Sequence, residues 1–158
     1  VVEEIALVRS LDNTHQIVVT DSGELGTWRR AIVAGDIFGT TLYRIVRTPD
    51  GRIWRHDWLP AGWYRLRAAI FGIEHEKFFI SELQAEPWFT SGDPNGTPLS
   101  EQEETMNPNR LQKHLDYAAR IGASRAYLWG VEWWYWMRAK QGDVRYWEIV
   151  GWAIGNRQ

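Results

Sequence analysis

The chain has no cysteine among its 158 residues, so neither a disulfide framework nor a thiolate metal site can hold it together, and the redox compartment stays open. It also lacks any run approaching ~18 consecutive apolar residues, which argues against a membrane span. No charged-then-apolar leader is read at the start of the sequence, so none is expected before the fold. Basic runs are missing as well. With a formal net charge of -2 there is no electrostatic reason to expect nucleic acid or an anionic membrane as partner. The four histidines, His15, His56, His75 and His114, form no pair at helical spacing, so no metal site is expected. No cofactor is implied either. Ser22 and Ser81 lack the G-x-S-x-G elbow of a serine nucleophile.

What is present is an ordinary globular balance, 44% hydrophobic and 24% charged, enough for one domain spanning 1–158. The unusual feature is aromatic content: 11 Trp, 6 Tyr and 5 Phe. Indole supplies large apolar area for ordinary burial, and most of the tryptophans are expected to serve that purpose. The remainder cluster where strands should end, the placement that packs the apolar face of a sugar ring while carboxylates meet its hydroxyls.

The stretch 77–88, KFFISELQAEPW, organises the rest. Its apolar run reads as a buried parallel strand that delivers Glu82 to its carboxyl end, with Glu86 and Trp88 just beyond. Strands are expected at about 15–21, 36–45, 77–82 and 124–129, separated by helices at 27–34, 61–71 and 108–121. A first helix over 1–11 places Val1, Ile5 and Val8 on one stripe. Residues 48–60 read as a turn-rich loop over the strand ends, and 89–107 as a long polar loop. The tail after Tyr135 reads as broken helix jointed at Gly142-Asp143.

Strand-helix alternation implies α/β architecture with a parallel sheet and right-handed crossovers. Four parallel strand-helix units make either a small open sheet or half of an eight-stranded TIM barrel. Asp21-Ser22-Gly23-Glu24-Leu25-Gly26 after the first strand is a poor phosphate loop, because an anionic turn repels phosphate. Acidic and aromatic residues instead arrive at all four strand ends: Glu24, Tyr43 with Arg44, Glu82, then Trp129 with Glu132 and Trp133. That is the layout of a barrel active site. Burial and like charge among Glu82, Glu24, Glu86 and Glu132 oppose ionisation in such a cleft, and a neighbouring tyrosine hydroxyl favours it. Glu132 is equally readable as a substrate hydrogen-bonder or a helix-start residue favoured by the macrodipole.

Four segments, VTDSGE (19–24), TTLYR (40–44), ISELQAEPW (80–88) and YLWGVEWWYW (127–136), together resemble the C-terminal half, strands five to eight, of a clan A, cellulase-like glycoside hydrolase barrel. The resemblance covers essentially the whole chain. It implies a retaining β-glycoside hydrolase with Glu82 as nucleophile, Tyr43 hydrogen-bonded to it and Trp129 flooring the catalytic subsite. Glu24, Arg44, Glu86, Trp88, Glu132 and Trp133 would then be substrate-binding residues, and the substrate a carbohydrate. The clan's acid/base is a Glu after Asn at the end of strand four, and no Asn-Glu pair occurs in this chain. The chain also begins at Val1 inside a helix, so an upstream half is expected to exist elsewhere. Two functions follow: a glycosidase half-site, inactive until another half supplies the acid, or a non-catalytic half-barrel, natural or engineered, binding sugars at its Trp-rich mouth. A half-barrel exposes both outer strand edges and an inner face expected to carry Val18, Ile80 and Leu128, so a homodimer or a complex with the missing N-terminal half is expected.

Overall fold

A computed structural model describes residues 1–155. Its elements in order are α1 (Val2–Leu11), β1 (Val18–Asp21), α2 (Arg29–Ala34), β2 (Ile37–Leu42), β3 (Ile45–Arg47), β4 (Ile53–Arg55), α3 (Gly62–Ile70), β5 (Phe78–Gln84), α4 (Leu99–Thr105), α5 (Pro108–Ile121), β6 (Ala126–Trp129), α6 (Val131–Trp136) and α7 (Arg145–Gly155). The main sheet has the order β1-β2-β5-β6 with every pairing parallel, so its strands follow chain order and their carboxyl ends share one edge. The joint before α7 falls where the sequence puts it: a π-turn over Met137–Gln141 closes at Gly142, whose φ of 68° is left-handed.

The strands alternate between two unlike faces. On one face Val19, Phe38, Leu42, Phe78, Ile80, Leu83, Ala126 and Leu128 join the apolar core built with α2, α3 and α5. α5 is the best-formed of these helices: Asn107 caps it by accepting from the Arg110 N–H at 3.0 Å, Pro108 opens it and Gly122 closes it at φ 69°. Its buried stripe is Leu111, His114, Leu115, Ala118 and Ile121, at helical spacing. α7 packs on α5 through its buried Tyr146, Val150 and Ala153.

Among the described residues the other face carries no helix layer. A Cβ built on Gly39 would meet Thr20, Phe79 and Ser81 at about 3 Å, which puts those four residues together on this side. Val18 (46%) and Tyr127 (54%) stand open to solvent on it. Ile80 and Leu128, expected here beside Val18, are on the helix side instead. Alternation decides this: Val18 has even parity with Thr20 on β1, while Ile80 pairs across to Thr40, which is wholly buried.

Other departures from expectation are local. The second strand breaks at Tyr43, and Ile45–Arg47 turns back to pair antiparallel with Ile53–Arg55, so the excursion 48–60 is largely a hairpin rather than a bare loop. The polar stretch 89–107 carries α4, held by Gln102, whose amide Nε2 donates to the carbonyls of Pro94 at 2.9 Å and Thr97 at 2.8 Å. Polar residues suffice there because a buried amide satisfies the loop's own backbone. α1 buries no residue at all; its apolar stripe is only partly used, and Arg9 ties it to Asp36.

Candidate functional site

The chemistry-bearing residues gather at the carboxyl edge of the sheet, and a bulge in β5 aims the central one. Thr40 pairs with Ile80 but Thr41 pairs with Glu82, so the register slips by one residue at Ser81. Leu83 returns to the core at 1% exposure, three residues after Ile80 rather than two or four. Strict alternation would have put Glu82 on the same side as Ile80, in the apolar core. The extra residue places Ser81 and Glu82 on the open side, the re-aiming that bulges commonly perform beside functional sites.

Tyr43, immediately beyond β2, donates its Oη proton to Glu82 Oε2 at 2.7 Å. Desolvation and then this bond push the tyrosine's ionisation far above its ordinary range, so it remains a neutral donor. The Tyr43 ring lies 5.6 Å from that of Trp88, which is anchored by its own Nε1–H to the Ile45 carbonyl at 2.8 Å. On the other side, Trp129 at the end of β6 donates Nε1–H to Glu86 Oε1 at 2.9 Å with half of its surface exposed. Desolvation raises the Glu86 pKa, the Trp129 bond opposes that rise, and the nearby charge of Glu132 adds to it. Glu132 itself is exposed in the first turn of α6. Gly130 is required between them: its φ is 135°, and a Cβ there would sit 2.6 Å from Glu86 Cβ. Glu82, Tyr43, Glu86, Trp88, Trp129 and Glu132 are thus brought to one edge.

Three predicted contacts belong elsewhere. Trp133 is 2% exposed and donates Nε1–H to Gln102 Oε1 at 2.7 Å, so it fastens α6 to α4 and cannot meet a ligand at the mouth. Arg44 points away from Tyr43, its neighbour in sequence, as alternation requires; it is buried, stacks 3.9 Å above the Tyr117 ring and donates to the carbonyls of His56 and Leu59. Glu24 has a side chain only 4% exposed, 3.9 Å from Arg44, and accepts from Tyr64 Oη at 3.1 Å. Desolvation outweighs these partners and lifts the Glu24 pKa to about 7. These two residues brace the wall below Tyr43.

Several supporting residues escaped sequence reading. Tyr64, on α3, is one of them, holding Glu24 through its hydroxyl. Gln84 Oε1 accepts from the Ile45 N–H at 3.0 Å, and Trp134 donates Nε1–H to the Ala85 carbonyl at 2.7 Å, pinning the segment that carries Glu86. No local pattern signals either bond, since both join segments about forty or more residues apart. Among the described residues no group of three or more His, Asp or Glu is disposed to hold a metal, and no helix is long and apolar enough to cross a membrane. Comparison of the chain with protein-family models, with curated proteins and with solved structures finds no match.

Proposed function

We propose that the chain is the strand-five-to-eight half of a retaining β-glycoside hydrolase barrel, with Glu82 as the nucleophile of a site completed by a second half-barrel. The observation that carries this is the 2.7 Å bond from Tyr43 Oη to Glu82 Oε2 at the carboxyl end of a parallel sheet, with the Trp88 ring against Tyr43 and the half-exposed Trp129 ring on Glu86 at the next strand end. A carboxylate attacking an anomeric carbon must be held in one orientation, and the Tyr43 hydroxyl bond holds Glu82 so. The indole faces suit the apolar side of a pyranose, and Glu86 and Glu132 suit its hydroxyls.

Retaining hydrolysis needs a second carboxyl about 5–5.5 Å from the nucleophile to protonate the leaving oxygen. Glu86 is engaged with Trp129 and sits on the same strand-end segment, so the acid must come from the complementary half. The sheet supports this reading independently. Parallel sheets are almost always covered on both faces, whereas here one face leaves Val18 and Tyr127 open to solvent. A complementary half, from another polypeptide or a second copy of this chain, would cover that face.

The test exploits leaving groups that need no protonation. A panel of 2,4-dinitrophenyl β-glycosides of glucose, mannose, galactose and xylose is mixed with the chain, and dinitrophenolate release is followed in the first turnover. A stoichiometric burst with one sugar, absent in Glu82→Ala, is expected. Saturable binding of sugars with no burst would favour the second reading, a non-catalytic sugar-binding half-barrel, for which the absence of a paired acid speaks.

A further inference from the structure

A cavity of about 500 Å³ lies on the helix side of the sheet, away from Glu82, between the start of α3 and the length of α5. Its floor is the Arg44 guanidinium stacked on the Tyr117 ring. The segment Asp57–Ala61 forms one wall, fixed because both Arg44 and Tyr117 donate to the Leu59 carbonyl. The other wall is the face of α5 bearing Arg110, Lys113, His114, Asp116 and Arg120. Helical spacing makes this wall: positions 110, 113, 117 and 120 recur every three or four residues, so three cations and a tyrosine look the same way.

The charges do not balance among themselves. Arg44, Arg110, Lys113 and Arg120 are four cations against the two carboxylates Asp57 and Asp116, leaving a surplus of two positive charges. His114 adds none, because its Nδ1–H donates to the Gln84 carbonyl at 3.0 Å and burial holds its ring neutral. Nor are the donors all used. Arg44 is 4% exposed, and its Nη1 faces the Glu24 carboxylate at 3.9 Å without a hydrogen bond, so Arg44 lends the cavity floor its charge rather than that donor. Arg110 Nε is likewise buried without a partner. A doubly charged oxyanion in the cavity supplies the missing charge and acceptors for the Arg110, Lys113 and Arg120 side chains that line it.

From this we infer that the cavity is a binding site for a small phosphate-bearing molecule, held by Arg110, Lys113 and Arg120 over the Arg44 floor. Its volume lies within the usual range for small-ligand pockets, so a sugar phosphate fits as well as the free anion. Phosphate is favoured over a monocarboxylate because its charge matches the surplus and its several oxygens can engage more than one guanidinium. The site is separate from the strand-end cluster and does not depend on the reading of Glu82.

The test is calorimetric titration of inorganic phosphate into the full chain at constant ionic strength, with acetate and glucose 6-phosphate as parallel arms. Saturable one-site phosphate binding is expected, at least about tenfold tighter than acetate and weakened at least about tenfold in Arg110→Gln. Lys113→Gln, at an exposed position that cannot affect folding through burial, is expected to weaken it in the same direction, while Arg30→Gln, on α2, leaves it unchanged. Tighter binding of the sugar phosphate would identify an ester as the occupant, and equal binding the free anion. No saturable heat, or the same isotherm in Lys113→Gln as in Arg30→Gln, would overturn the proposal.

Discussion

Glu24 makes the most quantitative prediction. Its carboxyl is almost wholly buried, and its pKa is pushed from 4.5 to about 7, with desolvation exceeding the combined help of Tyr64 and Arg44. In the unfolded chain the same group titrates near its ordinary value, so between the two pKa values the folded state holds the extra proton. Stability therefore falls as pH rises. The contribution is fully present below the unfolded pKa and is lost as pH climbs through about 7. A difference of roughly two and a half units at about 1.4 kcal/mol each amounts to about 3.5 kcal/mol in full. Glu24→Gln keeps the acceptor for Tyr64 Oη and removes the ionisation. Urea unfolding of both proteins from pH 5 to 9, at one fixed protein concentration, isolates the effect as a difference between two curves. Because pH 5 already lies above the unfolded pKa, the wild-type free energy should decline by about 2.5 kcal/mol more than that of Glu24→Gln across this range. Parallel curves would refute the reasoning and place the Glu24 carboxyl in contact with water.

At the acid end the sign reverses for His114, whose pKa is lowered to about 4 chiefly by burial. Its stabilising contribution is present above its unfolded value and is lost as pH falls from about 6.5 towards 4, so His114→Gln should flatten that limb of the same urea profile. Tyr43→Phe deletes a charge-assisted hydrogen bond worth about 1.5–3 kcal/mol and should slow the dinitrophenolate burst about ten- to a hundredfold, while near-ultraviolet circular dichroism of the core is unchanged. The uncovered sheet face, where each large apolar side chain gains about 1.5–3 kcal/mol on burial, predicts association. Sedimentation across a dilution series should show self-association or marked apolar-dye binding; a folded, dye-free monomer at low micromolar concentration would contradict it.

The four strands, their parallel pairing and their order were legible in the sequence because short β-branched and aromatic runs alternated with amphipathic helices. So was the convergence of Tyr43, Glu82 and Trp129, since each ends or follows a strand. What was not legible depended on register. A bulge at Ser81 is invisible in composition, yet it decides that Glu82 faces outward and shifts the parity of Leu83. The same kind of parity puts Ile80 and Leu128 under the helices and turns Arg44 into a buried floor. Trp133 and Trp134 looked alike in sequence to Trp129, and only the long-range acceptors Gln102 Oε1 and the Ala85 carbonyl distinguish anchors from an exposed ring. α1 is a different case: Val1, Ile5 and Val8 share one stripe as its spacing implies, yet the fold buries none of its residues.

The central claim is that Glu82 forms a covalent bond to a sugar. The direct measurement is mass spectrometry of the chain after incubation with 2-deoxy-2-fluoro-β-glycosides of 2,4-dinitrophenol, chosen for the sugar that gives the burst. The account predicts a single glycosyl adduct on the peptide containing residues 78–84, localised by fragmentation to Glu82 and absent in Glu82→Gln. An adduct on Glu86, or an unmodified chain with every sugar in the panel, would contradict it.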